Sequence, residues 1–358
     1  MKQFEIHSKI EKAETLPSEF YNNKKVFEYF KEEVFTRFWH YVCDVSVVKS
    51  PGQVYPFILL ENFLDEPLLF TRDYEDNIHC LSNVCTHRGN LVVDGPGTEK
   101  FLRCRYHGRR FHMDGMFHSM PEFEGCDGFP SDKDNLSKVP FYIWENLMFA
   151  SINPMQDFES FYAPMLERIN WMPFKSFMID NASSLDYFVK ANWALYCENY
   201  LEGFHIPYVH GALNEAIDYG SYETILFPFG SLQIAYSKDN HNVFDFPKDS
   251  IDYGKNISAY YFWFFPNVMF NFYPWGLSIN VVKPISIDAS KVSFTTYIWD
   301  ESKREVGAGL DRVEREDEAI VENVQKGMKS RFYEKGRFSP KREQGVHHFH
   351  RLIADVIK

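Results

Sequence analysis

Two cysteine-histidine pairs constrain this chain more than any other feature. Cys85-Thr86-His87 is followed, after sixteen residues, by Cys104-Arg105-Tyr106-His107. Between Gln53 and Met148 the sequence runs in short apolar stretches (PFILLENF, EPLLFTRD, IHCLSNVC) broken by Gly, Pro, Asp and Asn, the pattern of a small all-β module. The pairs therefore place two thiolates and two imidazoles on neighbouring hairpin tips. A structural zinc ion accepts that donor set. So does a [2Fe–2S] cluster in which one iron takes both thiolates and the other both histidines. Gly89 and Gly108 follow the pairs closely, as tight ligand loops require when backbone amides approach cluster sulfides. No helix is predicted after the second pair, as a zinc finger would need, so the cluster is favoured. The six cysteines are too sparse for a disulfide scaffold, and Cys43, Cys80, Cys126 and Cys197 read as small buried hydrophobes.

The runs C-T-H-R-G at 85–89 and C-R-Y-H-G-R-R-F at 104–111 resemble the Rieske family. That resemblance assigns Cys85, His87, Cys104 and His107 to a Rieske [2Fe–2S] cluster. Respiratory members carry an extra cysteine in each ligand loop, forming a disulfide; here Thr86 and Tyr106 stand in those loops, which points to the oxygenase or ferredoxin branch. Arg109 departs from the tryptophan of many oxygenases, at a position that supports packing rather than ligation. Replacing two thiolates by neutral imidazoles raises the potential above that of an all-cysteine cluster, so such a centre accepts an electron and passes it on.

The rest of the chain needs its own explanation. In N192-W-A-L-Y-C-E-N-Y-L-E-G-F-H205-I-P-Y-V-H210 two histidines stand five apart. On one regular helix they would point about 140° apart and could not share an ion. Pro207 removes the objection by breaking the helix, so that His205 ends it and His210 turns back from the loop. Alone, the two could be ordinary core histidines. Downstream of a Rieske motif, N-W-x(4)-E-N-Y-x-E-x-x-H-x(4)-H resembles the mononuclear iron motif of Rieske non-haem iron oxygenases. These enzymes bind Fe(II) through two histidines and a carboxylate. The third ligand is expected in E-R-E-D-E-A-I-V-E-N-V-Q-K-G, which resembles the family's E-D-x(4)-E-x-V-Q-x-G and singles out Asp317, with Glu314, Glu316, Glu318 and Glu322 as competitors. The resemblance further assigns Glu202 to a bridge between His205 and a neighbouring chain's His107, and gives Asn199 an assisting place near the iron. Glutamate at 202, where most members have aspartate, marks the branch acting on quaternary ammonium compounds.

The resemblance covers nearly the whole chain. It implies an α+β architecture in which the all-β Rieske domain (44–155) is inserted into a helix-grip catalytic domain (156–358) that also packs the N-terminal helical segment (1–43). A helix is expected from Lys24 to Tyr41, strands near 222–237, 259–273 and 277–299, and a charged helix from Asp311 to Arg331. The implied activity is that of a terminal oxygenase. Electrons from NAD(P)H, delivered by a reductase and in some systems a ferredoxin, would drive mono- or dioxygenation of a small organic substrate by O2, with a homotrimer as the minimum assembly. A non-catalytic Rieske electron carrier or a zinc-stabilised scaffold is the alternative.

Composition narrows the substrate and the partners. A net charge of −12 argues against nucleic acid, and the basic stretch Lys329 to Arg342 reads as solvated surface. No apolar run approaches the roughly 20 residues of a membrane helix, and the first residues lack a signal peptide's apolar segment, so a cytoplasmic location is expected. Aromatic residues make up 18% of the chain and are densest from Tyr260 to Trp275. If that stretch is strand, half its rings face a pocket or core, where they could cage a cation, receive a ring, or pack on each other. Quaternary amines and aromatic acids are the rival substrate classes. His347, His348 and His350 are expected to be surface or core residues rather than ligands.

Overall fold

The computed structural model describes residues 4–211, 218–238, 242–304 and 309–357. The chain divides into two compact units, one formed by Met1–Phe35 with Gln156–Lys358 and one by Thr36–Met155. The N-terminal helices α1 (Ser18–Asn22) and α2 (Lys24–Phe30) run into a wider, π-type turn at Lys31–Phe35. The helix expected to reach Tyr41 therefore stops early. His40–Asp44 is strand β1, paired with β10 more than 100 residues away, which also moves the first boundary from 43/44 to 35/36.

The inserted unit is all β. A four-stranded sheet has the order β4-β3-β2-β5, built from β2 (Gln53–Leu59), β3 (Glu66–Arg72), β4 (Ile78–Ser82) and β5 (Gly97–Thr98). A three-stranded sheet joins β6 (Leu102–Arg103), β7 (Arg110–Phe111) and β8 (Phe117–Ser119), while β9 (Phe141–Trp144) and β10 (Leu147–Ala150) pair beside β1. Its core gathers Val54, Leu69, Leu81, Val92, Leu102, Phe111 and Leu136 around the buried Cys85 and Cys104.

The other unit continues with α3 (Phe158–Ile169), β11 (Met178–Val189), α4 (Trp193–Tyr200) and α5 (Ile206–Val209). It then adds β12 (Glu223–Phe227), β13 (Gly230–Tyr236), β14 (Ile257–Phe264), β15 (Val268–Tyr273), β16 (Gly276–Ser286) and β17 (Ala289–Ile298), and ends with α6 (Gly309–Gly327) and α7 (Gln344–Val356). The seven strands form one antiparallel sheet in the order β11-β17-β16-β15-β14-β13-β12. The resulting fold is α+β, with helices packed on an antiparallel sheet.

The aromatic run splits by strand alternation. In β14 and β15, Phe262, Phe264 and Phe270 face α3, where they meet Phe161, Tyr162 and their own neighbours. Tyr261 and Asn271, which pair across the strands, face α4 instead, as shown by the Tyr200 hydroxyl donating to Asn271 Oδ1 at 2.5 Å and Gln233 Nε2 donating to the Tyr200 carbonyl at 2.7 Å. Trp193 anchors α4, fully buried against Phe30, Phe35 and Phe349.

Candidate metal centres

The two cysteine-histidine loops close in the same way. Gly89 N–H donates to the Cys85 carbonyl and Gly108 N–H to the Cys104 carbonyl, each at 3.0 Å. Both glycines take positive φ, 73° and 77°, which a side chain would strain. Cys85 N–H donates to the Asn90 carbonyl at 2.8 Å and Cys104 N–H to the Arg109 carbonyl at 2.9 Å, sealing each loop at its base. Both thiols are buried, His87 is half-buried, and His107 is exposed, the two rings lying 4.7 Å apart. Burial raises the Cys85 thiol above its ordinary value. A buried thiol pair behind an outward-facing histidine pair suits a two-iron cluster with separate sulfur and nitrogen ends. Of the other cysteines, Cys80 and Cys197 are buried as expected, but Cys126 is exposed.

In the other unit, α4 ends at Tyr200, before the proline and not at it. Pro207 lies in the first turn of α5, where its missing N–H costs nothing, so it starts a helix rather than breaking one. His205 is the residue capping α5 at its start and His210 the residue capping it at its end. The short helix thus carries the two imidazoles round to one point, with ring centroids 5.1 Å apart.

Asp317 reaches that point from α6. His210 Nε2 lies 3.0 Å and His205 Nε2 3.5 Å from Asp317 Oδ1, and one donor atom from each residue falls within 4.8 Å of the others, close enough to hold one metal ion. The opposite ring nitrogens are both occupied by carboxylates. Glu202 Oε1 sits 2.7 Å from His205 Nδ1, and Glu316 Oε2 sits 2.9 Å from His210 Nδ1. An ionised carboxylate accepts only, so each Nδ1 donates its proton to a glutamate, and each Nε2 is the ring atom turned toward Asp317, with His210 Nε2 within hydrogen-bond distance of Asp317 Oδ1. Glu202 also accepts from the backbone of Phe204 and His205, which fixes it against the turn. Burial lowers the His210 pKa, but Asp317 and Glu316 outweigh it, so the ring sits above the ordinary imidazole value.

The competing acids are engaged elsewhere. Glu314 is buried, its pKa pushed up to about 8 by burial, and accepts from the Tyr196 hydroxyl at 2.6 Å. Glu318 pairs with Arg315, and Glu322 accepts from the Lys190 backbone. The Glu314–Tyr196 bond and Gln325 accepting from the N–H of Asn192, the N-cap of α4, at 2.8 Å fix the register of α6 against α4 and so aim Asp317. Glu316, which the sequence pattern treated only as a rival ligand, instead holds the far side of the His210 ring; its one signal in the sequence is adjacency to Asp317. Asn199, half-buried on α4, makes no side-chain hydrogen bond to His205, His210 or Asp317. His347 and His348 bond to the carbonyls of His7 and Phe227, and His350 accepts from Leu16 N–H, all remote from Asp317 in the hydrogen-bond network.

Beside this triad lies a cluster of tyrosines. Tyr222, Tyr261 and Tyr273 pack on Ile206, the neighbour of His205, together with the small Ala235 and Ala259. Tyr200 meets Tyr261 at 6.5 Å, Tyr261 meets Tyr273 at 6.0 Å, and Tyr273 stacks on Trp275 at 5.0 Å. Burial pushes Tyr261 up to about 12 and raises the other three tyrosines further, so all four stay neutral phenols. The Arg304 guanidinium lies 5.6 Å from the Trp275 ring.

Comparison with known proteins matches both parts of the chain. The model of the ring hydroxylating alpha subunit (catalytic domain) matches residues 169–358 and that of the Rieske [2Fe-2S] domain matches residues 38–130. A chloroplastic choline monooxygenase of Arabidopsis thaliana is 26% identical over 99% of this chain and 86% of its own length. The carnitine monooxygenase oxygenase subunit of Escherichia coli (strain K12) is 27% identical over 97% and 95%. Among solved structures, the quaternary ammonium Rieske monooxygenase CntA in complex with substrate L-carnitine superposes with a TM-score of 0.81 at 21% identity, covering 100% of both chains. Naphthalene 1,2-dioxygenase from Rhodococcus sp., bound to indole, gives 0.74 at 16% identity over 96% of this chain and 94% of that one. Among the described residues, no helix is long and apolar enough to cross a membrane.

Proposed function

The chain belongs to the ring hydroxylating alpha subunits, with a Rieske domain ahead of the catalytic domain, and on that premise we propose that it is the terminal oxygenase for a small quaternary ammonium substrate. The observation that carries the assignment of the iron site is the convergence of His205, His210 and Asp317 with both outer nitrogens held by glutamates. In this reading the triad holds Fe(II), and Cys85, His87, Cys104 and His107 hold the cluster. When bound, the two groups supply reductive activation of dioxygen, with electrons drawn from NAD(P)H through a separate reductase, with or without a ferredoxin.

The chain's own residues do the rest. Glu202 and Glu316 hold the two Nδ1 atoms, so that both Nε2 atoms and the Asp317 carboxylate are the groups that would take an ion. In this reading Glu202, held at His205 Nδ1, continues a hydrogen-bonded electron path to His107 of a neighbouring chain, with a homotrimer as the working form. Tyr200, Tyr222, Tyr261, Tyr273 and Trp275 supply π faces without negative charge, and attract a trimethylammonium group whose hydration is weak. Choline and carnitine, the substrates named for the relatives, fit that chemistry.

The test is substrate-dependent oxygen uptake with a reductase, run on choline, carnitine, the uncharged tert-butyl analogue of choline, and a set of benzoates. Quaternary amines should couple NAD(P)H and oxygen consumption at least about tenfold better than the neutral analogue, one unit of cation–π discrimination. Coupling to benzoates and not to amines would overturn the substrate class.

A further inference from the structure

Among the described residues all six cysteines are free, so nothing covalent joins the two cluster-ligand loops. A polar link joins them instead. Asp134 ends a short 3-10 turn (Asp132–Asp134), and its backbone carbonyl accepts from Thr86 Oγ1 at 2.8 Å and from Arg109 Nη2 at 3.3 Å. Its Oδ1 accepts from the same Nη2 at 2.6 Å, and its Oδ2 accepts from Ser131 N and Oγ at 2.7 and 3.0 Å. Thr86 stands between Cys85 and His87; Arg109 stands two residues after His107. One residue therefore ties the first loop to the second.

Arg109 is 2% exposed, and its guanidinium lies over the rings of Phe117, Phe129 and Phe111 at 5.0, 5.5 and 5.7 Å. Phe129 meets Phe123 at 4.7 Å, and Phe123 meets His87 edge-on at 5.4 Å. Arg109 Nε is buried without a hydrogen-bond partner, so the cation is held in place but not fully satisfied. The Asp134 carboxyl, although burial opposes it, is held below the ordinary carboxylate value by Arg109 and Ser131, so the pair is ionised at neutral pH.

We propose that Arg109 and Asp134 are positioning residues that clamp the two ligand loops in place of a covalent link and set the charge felt by the cluster, Arg109 favouring the reduced form and Asp134 offsetting it. The inference rests on reading the Cys2His2 site as an iron–sulfur centre. Its physical basis is that reduction adds a negative charge, which a buried, weakly screened cation stabilises and a partly buried anion opposes.

The experiment is a redox titration of the full-length protein with its cluster reconstituted, followed by the EPR signal of the reduced state, alongside the rate of bleaching in a chelator. Arg109→Gln should lower the midpoint potential and Asp134→Asn should raise it, each by about tenfold in the reduction equilibrium, or about 59 mV for a one-electron couple. Thr86→Val should leave the potential near that of the parent while the cluster bleaches several-fold faster. Should Arg109→Gln not retain a cluster, Arg109→Lys serves in its place: it keeps the charge without the fork, so an unchanged potential with faster bleaching supports the clamp. Shifts of one sign in both charge variants, or no shift, would overturn the electrostatic role. Parental bleaching rates in Thr86→Val and Arg109→Lys would overturn the mechanical one. A parent protein that takes up no cluster would sink the site reading itself, a result distinct from either.

Discussion

His205 and His210 each have one nitrogen committed to a glutamate, and only the other is free to bind. This makes Glu316 more than a neighbour of Asp317. A Glu316→Ala variant frees the His210 ring to turn and removes the partner that keeps Nδ1 protonated, and outer partners of this kind are worth about 10- to 100-fold in metal affinity. Titration with ferrous ion should show a loss of that size with the cluster's visible absorption unchanged; parental affinity would remove Glu316 from the site. At this scale the sequence was informative about residue types and spacing, as in the two glycines that close the ligand loops. Helical spacing by itself did not separate Asp317 from four nearby acids, and only the family resemblance singled it out, because that choice depends on which acid Tyr196, Lys190, Arg315 and His210 each engage.

At the scale of elements, local periodicity read the sheet well where strands are buried on one face or both, as in β13 to β17. It missed β11, an edge strand whose Met178 and Phe188 are about 70% exposed and whose polar run Asp180 to Ser184 breaks any alternation. It carried α2 too far because His40–Asp44 is extended only through pairing with β10, a partner remote in sequence. One element contact offers a stability test. Arg168 on α3 makes a two-pronged ion pair with Asp252 Oδ1 and Oδ2, both at 2.8 Å, and Asp252, fully buried, also accepts from Lys255 and the Tyr260 hydroxyl. Burial opposes ionisation of Asp252, but its four donors outweigh burial and hold the carboxyl below its ordinary value. A depressed folded-state pKa stabilises the fold above the unfolded value and loses that contribution as pH falls through the folded one. Asp252→Asn should cost about 3–5 kcal/mol at neutral pH by leaving Arg168 unpaired. Denaturant melts at neutral and acid pH should show the gap between parent and variant closing in acid, and a pH-independent gap would refute the ionic account.

For the whole molecule, the assignment of two centres predicts three irons per chain, two held tightly and one labile. Dialysis against a mild chelator should remove about one iron with the colour retained, and His205→Ala should carry two irons, keep its colour and lose turnover. A parent protein with two irons, or with zinc and no visible absorption, would sink the oxygenase reading. What the sequence by itself determined was the chemistry on offer: two thiolates and two imidazoles on glycine-closed loops, two further histidines around a proline, and an acid-rich helix. Those are short-range patterns, and turn geometry at such spacings leaves few alternatives. The tertiary structure alone decided that Glu316 holds the outer nitrogen of His210, and which aromatic rings face α4 rather than the core against α3. Each of those choices depends on register between elements far apart in the chain, α6 against α4 and strand against strand, where packing rather than local sequence decides which side chains meet.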